Sequence, residues 1–107
     1  MQRFGAMVRV KPGCFEQYER LHADVPAGVL EMIRACHIRN YSIYHKDGVL
    51  FSYFEYTGTD FEGDMARMAD DPATQRWWDV CKPLLDPLQT RRAGEFWAGM
   101  DEVFHCD

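Results

Sequence analysis

His37-Ile38-Arg39-Asn40-Tyr41-Ser42-Ile43-Tyr44-His45, then Lys46-Asp47-Gly48, then Val49-Leu50-Phe51-Ser52-Tyr53-Phe54-Glu55-Tyr56, is the stretch that organises the chain. Both flanking runs are β-branched and aromatic, a composition that suits a pleated, half-buried surface. The Asp-Gly dipeptide between them favours the positive backbone angles of a tight hairpin turn. The two runs are therefore expected to pair antiparallel. Working back from them, Phe4, Ala6, Val8 and Val10 alternate with Arg3, Gly5, Met7 and Arg9, the period of a strand over Arg3 to Lys11. Pro12-Gly13 ends it. From Cys14 the period becomes helical, with Phe15, Tyr18, Leu21, His22 and Val25 on one face. Pro26 lacks a backbone donor and predicts a kink, after which Val29, Leu30 and Ile33 carry the apolar side to about Ala35.

Working forward, Thr59-Asp60-Phe61-Glu62 has the form of a capping box at the start of a short helix carrying Met65 and Met68. Asp71-Pro72 reads as the N-cap and first position of another helix, whose stripe is Trp77, Val80, Cys81, Leu84 and Leu85 and which Pro87 closes. Beyond Thr90-Arg91-Arg92, residues Glu95 to Phe104 return to strand character. The order is β-α-β-β-α-β with the second helical region in two pieces. This is the ferredoxin-like α+β arrangement, an antiparallel four-stranded sheet with helices on one face. The bare face needs cover, which a second copy of the sheet would supply as a dimeric α/β barrel. No repeat or interdomain linker is visible, so residues 1–107 are expected to form a single domain.

Composition narrows the function. Hydrophobic residues make up 47% and aromatics 14% of the 107, more large side chains than one small core needs, so some should line a pocket or an interface. The formal charge of -5 and the absence of any basic run longer than Arg91-Arg92 argue against nucleic acid, which requires clustered positive charge. No apolar run is long enough to span a membrane and no secretory leader opens the chain, so a cytoplasmic location is expected. Cys14, Cys36, Cys81 and Cys106 are widely spaced, without a Cys-x-x-Cys pair, and are expected to remain thiols with no metal bound. Gly-rich phosphate loops, Gly-x-Ser-x-Gly elbows and His-Glu-x-x-His are missing too. What remains is proton transfer without a cofactor, or simple binding.

Four separated places carry polar aromatics and one histidine suited to a sugar: Tyr18 with His22, Asn40-Tyr41, Gln75-Arg76-Trp77-Trp78, and Glu102-Val103-Phe104-His105. A sugar presents hydroxyls around its edge and C–H on its face, so its site combines hydrogen-bonding groups with flat aromatic surface. Tyr18 and His22 stack one turn apart on a helix, although a core tyrosine and a histidine satisfied by a backbone carbonyl would show the same spacing. Trp77 and Trp78 point about 100° apart and cannot both face one core layer. One indole in the core with the other at a subunit interface is the structural alternative to two indoles on a ligand. Tyr44, Tyr53 and Tyr56 are expected to be packing residues, and His37, His45 and His105 to lie in solvent.

On these residues, together with Glu19 and Arg20, Asn40-Tyr41-Ser42-Ile43-Tyr44 and the closing Glu102-Val103-Phe104, the chain resembles the L-rhamnose mutarotases nearly end to end. The resemblance implies a homodimeric ferredoxin-like isomerase, free of cofactors, that interconverts the α and β anomers of a 6-deoxy-L-sugar. It implies further that His22 is the proton donor and that Tyr18, Tyr41, Trp77 and Trp78 bind the sugar. A histidine with a pKa near ~6.5 can donate and recover a proton at pH 7. The base that takes the anomeric proton stays open between a water and a tyrosine. One departure bears on specificity: where the family often has an aromatic Trp-Pro step, this chain reads Val25-Pro26-Ala27-Gly28, which brings L-fucose in beside L-rhamnose. Two other functions fit the same fold, a cofactor-free monooxygenase of the dimeric α/β-barrel kind and a non-catalytic small-ligand domain. Oxygen uptake would mark the first, and sugar binding without faster anomer exchange the second.

Overall fold

The computed structural model describes residues 1–107. The central hairpin forms as expected from strands β2 (Ile38–Lys46) and β3 (Val49–Tyr56). Asp47 and Gly48 take φ of 52° and 76° in its turn, the positive values for which Asp-Gly is suited. Strand β1 (Gln2–Val10) lies antiparallel to β3, with Phe4 opposite Phe54, Ala6 opposite Ser52 and Val8 opposite Leu50. These facing pairs put one side of the sheet under the helices.

Between Arg39 and Ser42 the β2 register slips against β3. Three steps of β2 are matched by two of β3, so the strand carries one extra residue, a β-bulge. Asn40 adopts φ of 51° within it, a left-handed conformation that asparagine tolerates. Its amide donates to Glu55 Oε1 at 2.7 Å, fastening the bulge to β3.

The helices depart from expectation in instructive ways. Helix α1 (Phe15–His22) and helix α2 (Ala27–Ala35) are separate, so Pro26 marks a break rather than a kink. Pro26 is extended, with ψ of 140°, and stands as N-cap of α2, where its missing donor costs no helical hydrogen bond. His22 is consequently the last residue of α1. Helix α3 (Phe61–Ala69) is capped by Asp60, which accepts from the Gly63 amide at 3.0 Å, in place of the expected Thr59 box. Helix α4 (Pro72–Cys81) starts as predicted, with Asp71 Oδ2 accepting from the Thr74 amide at 3.0 Å and its hydroxyl at 2.8 Å.

Helix α4 also ends earlier than its apolar stripe suggests. A 3₁₀ turn at Lys82–Leu84 follows, because Pro83, not Pro87, lacks the donor needed to continue the helix. Leu85 then belongs to strand β4 (Leu85–Asp86), while Val80 is exposed. The strand expected over Glu95 to Phe104 contracts to β5 (Ala98–Met100). Both short strands pair with β1, β4 at Arg9 and Val10 and β5 at Gly5 to Met7. The fourth strand of the ferredoxin-like sheet is thus made in two pieces on one edge, giving the order β2-β3-β1-β4 with β5 also on β1. Past Met100 the backbone ladder gives way to side chains, with Arg3 Nε donating to Glu102 Oε2 at 2.8 Å.

Two buried clusters hold the helices to the sheet. One contains Val8, Val10, Tyr18, Leu50, Leu84 and Leu85, and the other Cys36, Ile38 and Met68. The opposite face of the sheet has no helical cover, leaving Tyr44, Phe51 and Met100 exposed. Tyr44, at 66% exposure, is therefore not the packing residue expected, whereas Tyr56 is fully buried and its hydroxyl donates to Asp64 Oδ2. All four cysteines are free thiols. No helix is long and apolar enough to cross a membrane.

Candidate active site

Between the helical layer and the sheet lies a cavity of about 360 Å³, lined by twenty residues of which sixteen are hydrophobic. Tyr18, His22, Tyr41, Trp77 and Trp78 all border it. A wider outer chamber of about 600 Å³ shares His22, Tyr41 and Trp77 with the inner one and adds Val25, Arg34, Arg39 and Asn40. A concave, mostly apolar chamber with a few convergent polar groups is the usual form of a small-molecule site.

His22 stands where the chambers meet. Because α1 ends there, its Nδ1 reaches back to the backbone oxygen of Tyr18 at 2.9 Å. A carbonyl only accepts, so Nδ1 carries the hydrogen and the neutral ring keeps its lone pair on Nε2. The imidazole stacks on the Tyr18 ring with centroids 4.1 Å apart, and Trp77 meets it edge-on at 5.0 Å. Burial lowers the His22 pKa below its ordinary 6.5, and the hydrogen bond to Tyr18 opposes only part of that shift. At pH 7 His22 is a neutral base with a fixed tautomer.

The two tyrosines reach the chamber differently. Tyr18 comes from α1 and is 4% exposed; burial raises its phenol pKa, with Tyr41 and Cys81 adding smaller contributions. Tyr41 comes from the bulge of β2 and is 42% exposed overall, yet desolvation of its hydroxyl end raises its pKa as well. The extra residue in β2 turns Tyr41 toward the helices, where its ring packs 5.6 Å from that of Phe54. Both phenols stay protonated near neutral pH and offer hydroxyl donors. Cys81 is pushed up to about 11 by burial, so it is no nucleophile at pH 7.

Trp77 and Trp78 both border the cavity despite their angular separation on α4. Trp77 faces His22 and the outer chamber, while Trp78 lies deeper, against Lys82 and the second buried cluster. Other quoted residues lie elsewhere. Gln75 Nε2 donates to the Ala69 backbone oxygen at 2.8 Å, tying α4 to the end of α3, and Arg76 borders a shallow depression on the outer side of Trp77. Glu102, Val103, Phe104 and His105 line neither chamber. Glu102 is engaged by Arg3, and Val103 and Phe104 project into solvent at 96% and 82% exposure. The sequence-level grouping of this tail with the pocket does not hold within one chain.

Several lining residues escaped the sequence reading, among them Ser52, Phe54, Lys82, Phe96 and Trp97. Phe96-Trp97 lay in a stretch read as a regular strand. The spacing of Trp78 and Lys82, four residues apart, was a usable signal for their contact.

The sequence model of the family described as L-rhamnose mutarotase matches residues 3–106. The L-rhamnose mutarotase of Ligilactobacillus salivarius is 34% identical over 110 residues, covering 98% of this chain and 97% of that protein. Among solved structures, the L-rhamnose mutarotase of Formosa agariphila superposes with a TM-score of 0.79 at 16% identity, with both chains fully covered. Tetracenomycin F2 cyclase from Streptomyces glaucescens, a type-II polyketide cyclase, superposes at 0.74 and 12% identity over 100% of this chain and 98% of that one, so the fold itself is shared more widely than the chemistry. Family match, end-to-end identity and fold converge: the chain belongs to the L-rhamnose mutarotase family, whose members are isomerases.

Proposed function

We propose that residues 1–107 act as a single mutarotase domain that interconverts the α and β anomers of a 6-deoxy-L-hexose, L-rhamnose before L-fucose, by acid/base ring opening. The observation that carries this reading is His22, whose Nδ1 is held by the Tyr18 carbonyl and whose Nε2 is left for a ligand in an aromatic chamber. Mutarotation takes a proton from the anomeric hydroxyl, breaks the C1–O5 bond, rotates C1 and recloses the ring on the other face. This revises the expectation in which His22 is the donor and the base a water or a tyrosine: with its pKa lowered by burial, neutral His22 takes the base's part. Its Nε2 accepts the hydroxyl proton, and the imidazolium so formed is the donor that returns it. A well-placed acid or base of this kind contributes about 10²- to 10⁴-fold.

The remaining roles follow from the chamber. Tyr18 and Tyr41 meet sugar hydroxyls, and Trp77 and Trp78 lie against the C–H face and the 6-methyl group. Val25, at the outer chamber where an aromatic would narrow it, is the reason to keep L-fucose as the competing substrate. The uncovered sheet face, with Tyr44, Phe51 and Met100 exposed beside the apolar tail, favours a homodimer packed sheet to sheet. Four unpaired thiols suit a reducing compartment, and we place the protein in the cytoplasm.

Saturation-transfer NMR of anomer exchange on L-rhamnose and L-fucose, with and without protein, tests the reading. Acceleration for one sugar that disappears in His22→Ala is the expected result. Spontaneous rates with both sugars would overturn it and leave a binding domain.

A further inference from the structure

Ring opening moves two protons, and His22 accounts for one of them. The group that protonates the ring oxygen must also face the chamber. Of its twenty lining residues, Lys82 is the only lysine, arginine, aspartate or glutamate. It sits in the 3₁₀ turn after α4, one turn beyond Trp78, and its chain runs back across that indole. Nζ lies 4.5 Å from the centroid of the Trp78 ring and 5.0 Å from that of Phe96, both of which border the chamber. Neither the ion pairs Arg3–Glu102 and Arg92–Asp101 nor the histidine–carboxylate contacts His37–Asp64 and His105–Asp107 include it. The ammonium group is held by two aromatic faces, which orient a cation without using up its hydrogen-bond donors.

The tyrosines, Thr74 and the indoles suit the task less. Tyr18 and Tyr41 are made weaker acids by burial. The Thr74 hydroxyl donates to Asp71, and the indoles donate hydrogen bonds without transferring protons.

We propose that Lys82 is the proton donor to the ring oxygen of the bound sugar, a role that rests on the mutarotase reading above. His22 Nε2 takes the proton from O1 while C1–O5 breaks and C1=O1 forms. The electron pair left on O5 takes a proton from the Lys82 ammonium. After rotation about C1–C2, the Lys82 amine recovers that proton as O5 attacks the other face of C1, and the His22 imidazolium returns its own to O1. Protons and electrons balance over the cycle, and both side chains regain their starting states.

The experiment compares Lys82→Met, Lys82→Arg and Lys82→Ala with the wild type by anomer exchange on L-rhamnose, with circular dichroism of the tryptophans as a fold check. Methionine retains the packing over Trp78 and Phe96, and arginine retains the charge on a group that does not give up its proton. The expected result is a kcat lower by about 10²- to 10⁴-fold in both Lys82→Met and Lys82→Arg, with KM changed less than about threefold. Ethylamine added to Lys82→Ala should restore part of the rate. Lys82→Met within about threefold of wild-type kcat, or full activity in Lys82→Arg, overturns the assignment while wild-type acceleration leaves the mutarotase reading standing. If Lys82→Met does not fold, the absence of ethylamine rescue in folded Lys82→Ala decides against it. A wild-type protein that accelerates neither sugar removes both.

Discussion

Two histidines in this protein make hydrogen bonds of the same length and take opposite parts. His22 Nδ1 meets a backbone carbonyl at 2.9 Å, half-buried at the end of α1. His37 Nδ1 meets the Asp64 carboxylate at 2.9 Å, its side chain 48% exposed. A carbonyl fixes the tautomer without adding charge, so burial prevails and the His22 ring stays neutral with one nitrogen free. The Asp64 carboxylate is instead a shared acceptor, taking the His37 hydrogen bond and another from the Tyr56 hydroxyl, which in turn accepts from the Asp60 amide. That second cluster pins the end of β3 to the start of α3 and borders no chamber. The partner and the surroundings, not the imidazole, separate a chemical group from a structural one.

The sharpest way to break this comparison is to remove each ring in turn. His22→Ala is expected to slow anomer exchange by about 10²- to 10⁴-fold with little change in melting temperature. His37→Ala is expected to leave exchange within about twofold while lowering the melting temperature by a few degrees. Exchange measured by NMR beside thermal unfolding of both variants checks the pair, and a reversal of the two patterns would undo the distinction.

Next in size is the response to pH. In the proposed mechanism neutral His22 is the working form, so exchange should hold steady through neutrality and fall as pH drops through its lowered pKa, about tenfold per unit below it. A rate profile set beside the NMR titration of the His22 ring checks this. An acid limb centred above 6.5 contradicts the burial argument.

Trp78→Ala tests the aromatic wall. It should raise the KM for sugar about tenfold, from lost stacking and packing, while the acid limb stays where His22 puts it. Full retention of affinity would make Trp78 a packing residue.

The smallest effect on activity belongs to Asp64. Its hydrogen bonds from Tyr56 and His37 hold its pKa below the ordinary 3.8. A carboxylate depressed on folding contributes stability that is present above its unfolded pKa and lost as pH falls through the folded value. Asp64→Asn should therefore lower the melting temperature at pH 7, flatten its decline below about pH 4 and leave exchange unchanged. Thermal unfolding across pH with an exchange assay at pH 7 measures all three.

Much of this protein was decided by residues close together in sequence. The Asp47-Gly48 turn, the alternation of β1, the Asp71-Pro72 start of α4 and the apolar stripes depend on neighbours a few positions apart, and neighbours were enough to read them. His22, Tyr18, Tyr41, Trp77 and Trp78 drew notice because polar aromatics in one small chain exceed what a core requires; their roles came from the family resemblance, and the fold brings all five to one cavity. What local pattern could not settle was where competing preferences meet. Thr59 and Asp60 were both competent caps, and α3 uses the second. The stripe of α4 continued through Leu84 and Leu85, yet Pro83 and pairing with β1 carried Leu85 into the sheet. The bulge that turns Tyr41 into the chamber exists only because β2 must match β3, and Lys82 borders the chamber with Trp78 and Phe96, eighteen residues apart, closing on it from two sides. Periodicity is a property of the chain alone, whereas a cavity belongs to the surfaces that fail to fill it, and those meet only once the helices lie on the sheet.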